Sequence, residues 1–201
     1  AYRIMIGRTS SGTRQAKRLR MLNLGGWSGG PFATATNPTT FGHNSAASGI
    51  GVAAYRYSNP FNANPYTPKI ESFTSPGPVT IAFDALGNRL AVPETRKKPD
   101  LAAPDGGDTT FFYPGSNPDG TAFPNFFGTS AAAPHAAGVA ALLLQKAGGP
   151  GSLTPQQIKS ILQTTAPARV LPNTAGSPVK GWNLYDGFGL IDAVAALAKI
   201  P

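Results

Sequence analysis

Gly128-Thr129-Ser130-Ala131-Ala132-Ala133-Pro134-His135-Ala136-Ala137-Gly138 is the stretch from which the rest of this chain is read. The run that follows, residues 139–145 (VAALLLQ), is apolar and built of good helix formers, which predicts Ser130 in the first turn of a largely buried helix. A helix N-terminus leaves backbone N–H groups without intrahelical partners and carries partial positive charge, so negative charge developing beside that serine is stabilised. Thr129 or Ser130 is the expected cap. Ala131, Ala132, Ala133, Ala136, Ala137 and Gly138 keep the helix slim enough for neighbouring backbone to approach, while Pro134 removes one helical donor and should bend the first turns. Ser130 is therefore the candidate nucleophile.

The spacing Gly128-Thr129-Ser130, then Ala132, Pro134 and Gly138, is similar to the nucleophile motif of subtilisin-like serine proteases, the subtilase or peptidase S8 family. Residues 50–54 (IGVAA), 73–78 (FTSPGP), 96–106 (RKKPDLAAPDG) and 185–193 (YDGFGLIDA) resemble further segments of that family in the same order, so the likeness extends over residues 38–198. It implies an α/β fold: the C-terminal portion of a subtilisin-like doubly wound parallel sheet with flanking helices, here preceded by an extra N-terminal β-hairpin. In those terms the chain is a single partial domain, residues 1–37 being a hairpin and surface-loop insertion and residues 38–201 the C-terminal part of a catalytic domain. The implied activity is that of a secreted serine endopeptidase acting on a protein or peptide substrate, with an acyl-enzyme on Ser130 and the Ser130 backbone N–H in the oxyanion hole.

A serine hydroxyl of this kind needs a histidine base and an aspartate that fixes the histidine's tautomer. The family's motifs for both are missing, and the chain has two histidines. His135 lies five residues after Ser130 on the same predicted helix and matches a structural position of the family, so it reads as a packed histidine. His43, in Phe41-Gly42-His43-Asn44, falls after the point where the family's histidine motif ends and reads as a turn or helix-start residue. None of Asp84, Asp100, Asp105, Asp108, Asp119, Asp186 and Asp192 is followed by Ser/Thr-Gly; Asp100 and Asp105 flank a short strand and Asp192 caps or faces the last helix. The oxyanion-hole asparagine is also unaccounted for, since Asn23, Asn37 and Asn44 lack its context, Asn37 coming nearest. Residues 37–41 resemble the rim of the family's specificity pocket, and Phe126 and Phe127 stand next to the nucleophile, but no substrate-binding residue is assigned.

These gaps lead to the expectation that the chain is a C-terminal piece, inactive alone, whose partner is an N-terminal fragment of the same protease carrying the Asp and His, or a second copy. The alternative is a non-catalytic binding or assembly module that retains the subtilase scaffold. Half of such a sheet would expose an apolar strand edge and helix face that something must cover.

Composition is that of a folded, loop-rich protein, with 24 glycines, 20 prolines and 13% charged residues. The absence of cysteine rules out disulfides and thiolate metal sites, leaving packing to supply stability. No cofactor or metal site is expected; structural calcium rests on the family resemblance alone, because no acidic loop has ligand-like spacing. The net charge of +8 gathers at Arg14, Lys17, Arg18 and Arg20 and again at Arg96, Lys97 and Lys98, yet without an accompanying aromatic series it does not read as a nucleic-acid surface. No run reaches the roughly 18 apolar residues of a membrane span, so no membrane partner is expected.

Along the chain, residues 2–6 and 18–24 predict a β-hairpin about a turn at 10–13, and residues 25–37 a surface loop. Residues 43–48 open a short helix and residues 49–57 form a buried strand; residues 59–68 are a proline-broken loop. Short strands are expected at 70–73, 79–83, 89–92 and 101–103, with Gly87-Asn88 as a hairpin turn. Residues 111–127 carry five phenylalanines and should pack beside the serine as core filling. Ser152-Leu153-Thr154-Pro155 caps a helix running to about residue 165 that packs by Ile158, Ile161 and Leu162. Residues 170–182 form loops, and residues 189–200 form a last helix with an apolar face of Leu190, Ile191, Val194, Ala195 and Leu197.

Overall fold

The computed structural model of the chain describes residues 38–58, 69–112, 117–170 and 178–201. The N-terminal hairpin, the loop through residue 37 and the loop at 59–68 lie outside the described residues. In chain order the elements are a 3-10 turn at Gly42–Ser45, strands β1 (Val52–Arg56), β2 (Val79–Phe83), β3 (Arg89–Arg96), β4 (Leu101–Asp105), β5 (Gly107–Asp108) and β6 (Asn125–Phe126), helices α1 (Thr129–Lys146) and α2 (Pro155–Thr165), strands β7 (Arg169–Val170) and β8 (Pro178–Val179), and helix α3 (Ala193–Leu197).

The centre is a parallel pair, β1 with β4, in register from Val52 opposite Leu101 to Arg56 opposite Asp105. Residues 53–55 and 101–103 are buried without alternation, as strands covered on both faces must be. Each strand gains one more neighbour: Ala102 bridges Leu190 in parallel and Tyr55 bridges Ile70 in antiparallel. Because side chains alternate across a sheet, Ala54, Leu101 and Ala103 point to one side and Ala53, Tyr55 and Ala102 to the other. The first group joins Ala132, Ala136 and Leu143 of α1, Ile158 and Leu162 of α2, and Ala196 and Ile200 in one cluster. The second packs with Leu190 and Ile70. Leu101 and Leu143 are wholly buried, each contributing about 1.5–3 kcal/mol of transfer free energy. The alanines on both sides let the backbone of α1 lie close against the two strands.

This is an α/β fold of small sheets with helices. The connection from β1 to β4 contains the antiparallel hairpin β2–β3 and no helix among the described residues, and the apolar residues of all three helices gather on one side of the central pair. Several expected elements are revised. The 70–73 segment contributes only the Ile70 bridge, and Phe73 is exposed. Strand β3 runs on to Arg96, and the hairpin turn centres on Ala85-Leu86, two residues before Gly87-Asn88: Gly87 N–H reaches back to the Asp84 carbonyl, Asp84 N–H donates to the Asn88 carbonyl, and the Asp84 carboxylate accepts from Leu86 and Asn88 N–H. Helix α1 is half-exposed rather than largely buried, with Ala131, Ala132, Ala136 and Leu143 as its buried residues. The last helix starts only at Ala193, because Leu190 and Ile191 are spent on pairing with Ala102, and Val194 is 80% exposed instead of lying on an apolar face. Residues expected to loop before Trp182 include the short antiparallel pair β7–β8.

Other expectations hold and have local causes. Thr154 forms a reciprocal capping box with Gln157 and Pro155 opens α2, whose Ile158 and Leu162 are buried, while Asp192 caps α3 through the Ala195 N–H. Gly77 explains why the 73–78 segment needs its glycine: a Cβ there would lie 1.5 Å from the Lys98 carbonyl oxygen. The 183–189 turn is fixed by a buried ion pair, Arg169 donating from Nε and Nη2 to the two Asp186 oxygens at 2.7 Å each, with Tyr55 Oη adding a third donor at 2.8 Å. Removing one member strands the other in the core. Asp186→Ala is expected to destabilise the protein by about 3–5 kcal/mol and Thr154→Ala by about 1 kcal/mol, ranked by urea denaturation.

Candidate active site

Strand β6 leads directly to the motif serine. It pairs antiparallel with β5, and the turn between β4 and β5 is closed by Gly106 N–H donating to the Phe126 carbonyl at 2.7 Å. Asn125 is buried, and its side-chain amide donates to the Gly106 carbonyl at 2.9 Å, to Asp108 at 3.1 Å and to Asp119 at 2.9 Å. Tyr57 Oη donates to Asp119 at 2.6 Å, and the Tyr57 and Phe127 rings meet edge to face. The Tyr57 hydrogen bond, then that of Asn125, holds the Asp119 carboxyl below the usual carboxylate range, and the same bond raises the Tyr57 phenol. Phe111, Phe112 and Phe126 form a small aromatic cluster with ring centroids 4.9–6.1 Å apart. Phe111 and Phe112 remain exposed, so these rings are not simply core filling.

The chain then enters α1. The cap is Gly128, not Thr129 or Ser130, and no side chain caps the helix. Gly128 has φ 128° and ψ 157°, a conformation open to glycine and strained for any L side chain. Its carbonyl accepts from Ala131 N–H at 2.9 Å and Ala132 N–H at 3.1 Å, and its own N–H donates to Asp105 Oδ2 at 2.7 Å. Thr129 and Ser130 are thus the first two helical residues, ahead of the first helical acceptor's donors. Ser130 is exposed, whereas Ala131 and Ala132 are buried, Ala132 in the cluster with Ala54 of β1 and Leu101 and Ala103 of β4. Pro134 has no N–H to offer the Ser130 carbonyl four residues back. The result is a serine hydroxyl facing solvent at the positive end of an 18-residue helix.

A model of the subtilase family, peptidase S8, matches residues 23–189. The chain belongs to the subtilase family. Among similar proteins of Arabidopsis thaliana are the subtilisin-like proteases SBT4.12, 36% identical over 140 residues, and SBT4.9, 33% identical over 141, each alignment taking in 67% of this chain and 17% of the relative. SBT4.13 is 34% identical over 139 residues, 66% of this chain and 16% of its own length. The chain spans about 17% of the length of the relatives it matches.

Against that family's chemistry, the structure brings Gly128, Thr129, Ser130, Ala132 and Pro134 together at the helix start, and brings neither histidine to Ser130. His135 is exposed, not packed as expected, with Nδ1 2.8 Å from the Ala131 carbonyl; His43 is exposed in the 3-10 turn. Among the described residues the Ser130 hydroxyl has no hydrogen-bond partner. Asn44 sits beside His43 in the same turn, while Asn23 and Asn37 lie outside the described residues. The Asp108 and Asp119 oxygens receive donors from Tyr57, Thr121 and Asn125, and no group of three His, Cys, Asp or Glu residues able to hold a metal occurs among the described residues.

Reading the sequence placed Asp105 at a strand end and missed its bond to Gly128, and it missed Asn125 altogether. The available signal was a charged residue directly after the otherwise apolar Leu101-Ala102-Ala103-Pro104, where burial demands a partner. Gly128→Ala adds no clash, the nearest atom to the new Cβ being Ser130 N at 3.6 Å, so its effect is conformational. It is expected to cost about 1–3 kcal/mol, read by thermal melting.

Proposed function

We propose that this chain carries the nucleophile of a subtilisin-like serine endopeptidase. What supports the reading most is the exposed Ser130 at the second position of α1, behind a glycine cap at φ 128°, with its N–H directed out of the helix start. In the reaction a histidine takes the Ser130 Oγ proton as that oxygen attacks the scissile carbonyl. The Ser130 N–H donates to the oxyanion, the amine leaves with a proton from the histidine, and water then hydrolyses the acyl-serine. The histidine, its aspartate and the asparagine donor of the oxyanion hole come from sequence outside residues 1–201, an N-terminal fragment of the same protease or a second copy, and the chain alone is inactive. The β1–β4 pair is then the interior of a wider doubly wound sheet, residues 38–201 the C-terminal part of the catalytic domain, and residues 1–37 an insertion. Secretion and protein or peptide substrates follow from the same family reading, and no cofactor takes part.

The second reading, a binding or assembly module on a retained subtilase scaffold, is favoured by the hydrogen bonding among the described residues, where His135 Nδ1 contacts the Ala131 carbonyl and no histidine bonds the Ser130 hydroxyl. A denaturing intact-mass spectrum before and after fluorophosphonate treatment separates the two. The protease reading expects one adduct on Ser130 when the complementary segment is present, none without it and none in Ser130→Ala. An unlabelled Ser130 in the complete protein would mean the binding module.

A further inference from the structure

Strand β4 has a buried carboxylate at each end, and the two are treated differently. Asp100 is matched by Lys98 and Lys159. Asp105, with no exposed surface, has no ion-pair partner among the described residues: Oδ2 accepts the Gly128 N–H at 2.7 Å and Oδ1 is buried with no hydrogen bond at all. Burial pushes this carboxyl above its ordinary range, against the pull of the Gly128 N–H; Glu71 adds to the rise and Arg56 opposes it. Leaving a carboxylate in the interior with half of its hydrogen-bonding capacity unused is costly, and such groups gather where function holds them.

The bond joins residues 23 apart in sequence and ends on the residue that caps the nucleophile helix. Gly128 is gripped at both ends, its N–H by Asp105 and its carbonyl by Ala131 and Ala132. With that peptide fixed, the directions of Thr129 and Ser130 are fixed too. We infer that Asp105 is a positioning residue for Ser130: its carboxylate anchors Gly128 and so aims the serine hydroxyl and N–H at a single reacting carbonyl. This rests on the nucleophile reading above. Asp105 touches no reacting atom, and acts through the Gly128 peptide.

The test uses the complete protein, including the segment that supplies histidine and aspartate, and follows fluorophosphonate labelling of Ser130 as a function of reagent concentration. Asp105→Leu fills the same space without an acceptor; Asp105→Asn keeps an acceptor oxygen. With melting temperatures checked in parallel, the leucine variant is expected to lose about tenfold or more in limiting labelling rate at an unchanged half-saturating concentration, and the asparagine variant to stay within about threefold of wild type. A merely structural role would move the melting temperature and leave the rate of the folded fraction alone. If wild type labels and the leucine variant labels as fast, or if asparagine fails to rescue, the inference is overturned while the nucleophile reading stands. If wild type does not label, the nucleophile reading falls and takes this one with it. Should the leucine variant not fold, replacing the Gly128 N–H by an ester oxygen, which leaves Asp105 in place, carries the same test and the same expected loss.

Discussion

Asp100 lies fully buried between Lys98 and Lys159, and one of its oxygens also accepts the Gly51 N–H at 2.7 Å. Its backbone is equally engaged: the N–H donates to the Gly51 carbonyl at 2.8 Å, and the carbonyl accepts from Phe188 N–H at 3.0 Å and from the Gln163 side chain. One residue therefore ties the start of β1, the start of β4, helix α2 and the turn that delivers Leu190 to the sheet. A charge at this depth is tolerable only because its partners arrive from three different parts of the chain, and burial pushes the Lys98 amine down from its usual range in return. Lys98 Nζ also donates to the Gly49 carbonyl, which extends the tie to the segment before β1. The parallel register of β1 and β4, and with it the platform under α1, depends on this arrangement.

At the opposite end of β4 the same chemistry serves the helix start. Where Asp100 neutralises two cations, Asp105 addresses a backbone N–H, the weaker but more directional partner. The short strands β5 and β6 and the Asn125 amide hold the approach to Gly128 from the other direction. Ser130, exposed in the first turn of α1, thus follows a segment held by the Asn125 and Asp105 hydrogen bonds.

Legibility from sequence followed the range of the interactions. The start of α2 was readable because a capping box is complete within four residues, Thr154 to Gln157, and the burial of β1 was readable from its short apolar run bounded by glycine. The start of α1 was readable in place but not in mechanism: Thr129 and Ser130 are good capping types, yet Gly128 wins because Asp105, distant in sequence, holds its N–H. The last helix was drawn too long for the same reason, since the helical pattern of residues 189–192 gave no hint that Ala102 would claim Leu190 and Ile191 as a strand. His135 reads as packed because it matches a structural position of the family, but a helix with one buried stripe leaves most of its residues in water, and His135 is among them. Motif spacing points to the helix start, while the contact from Asp105 to Gly128 appears only in three dimensions.

The hairpin β2–β3 has a consequence of another kind. It closes on itself through the Asp84 turn, carries Phe83, Leu86 and Val92 on its surface, and is moored at its base where Arg96 donates to the Ser45 carbonyl. Nothing in the register of β1 with β4 is set by the hairpin's tip. Its length and composition are therefore free to drift while the core stays constant, which makes it the natural graft point of this scaffold, where a new peptide can be spliced in without disturbing the strands beneath.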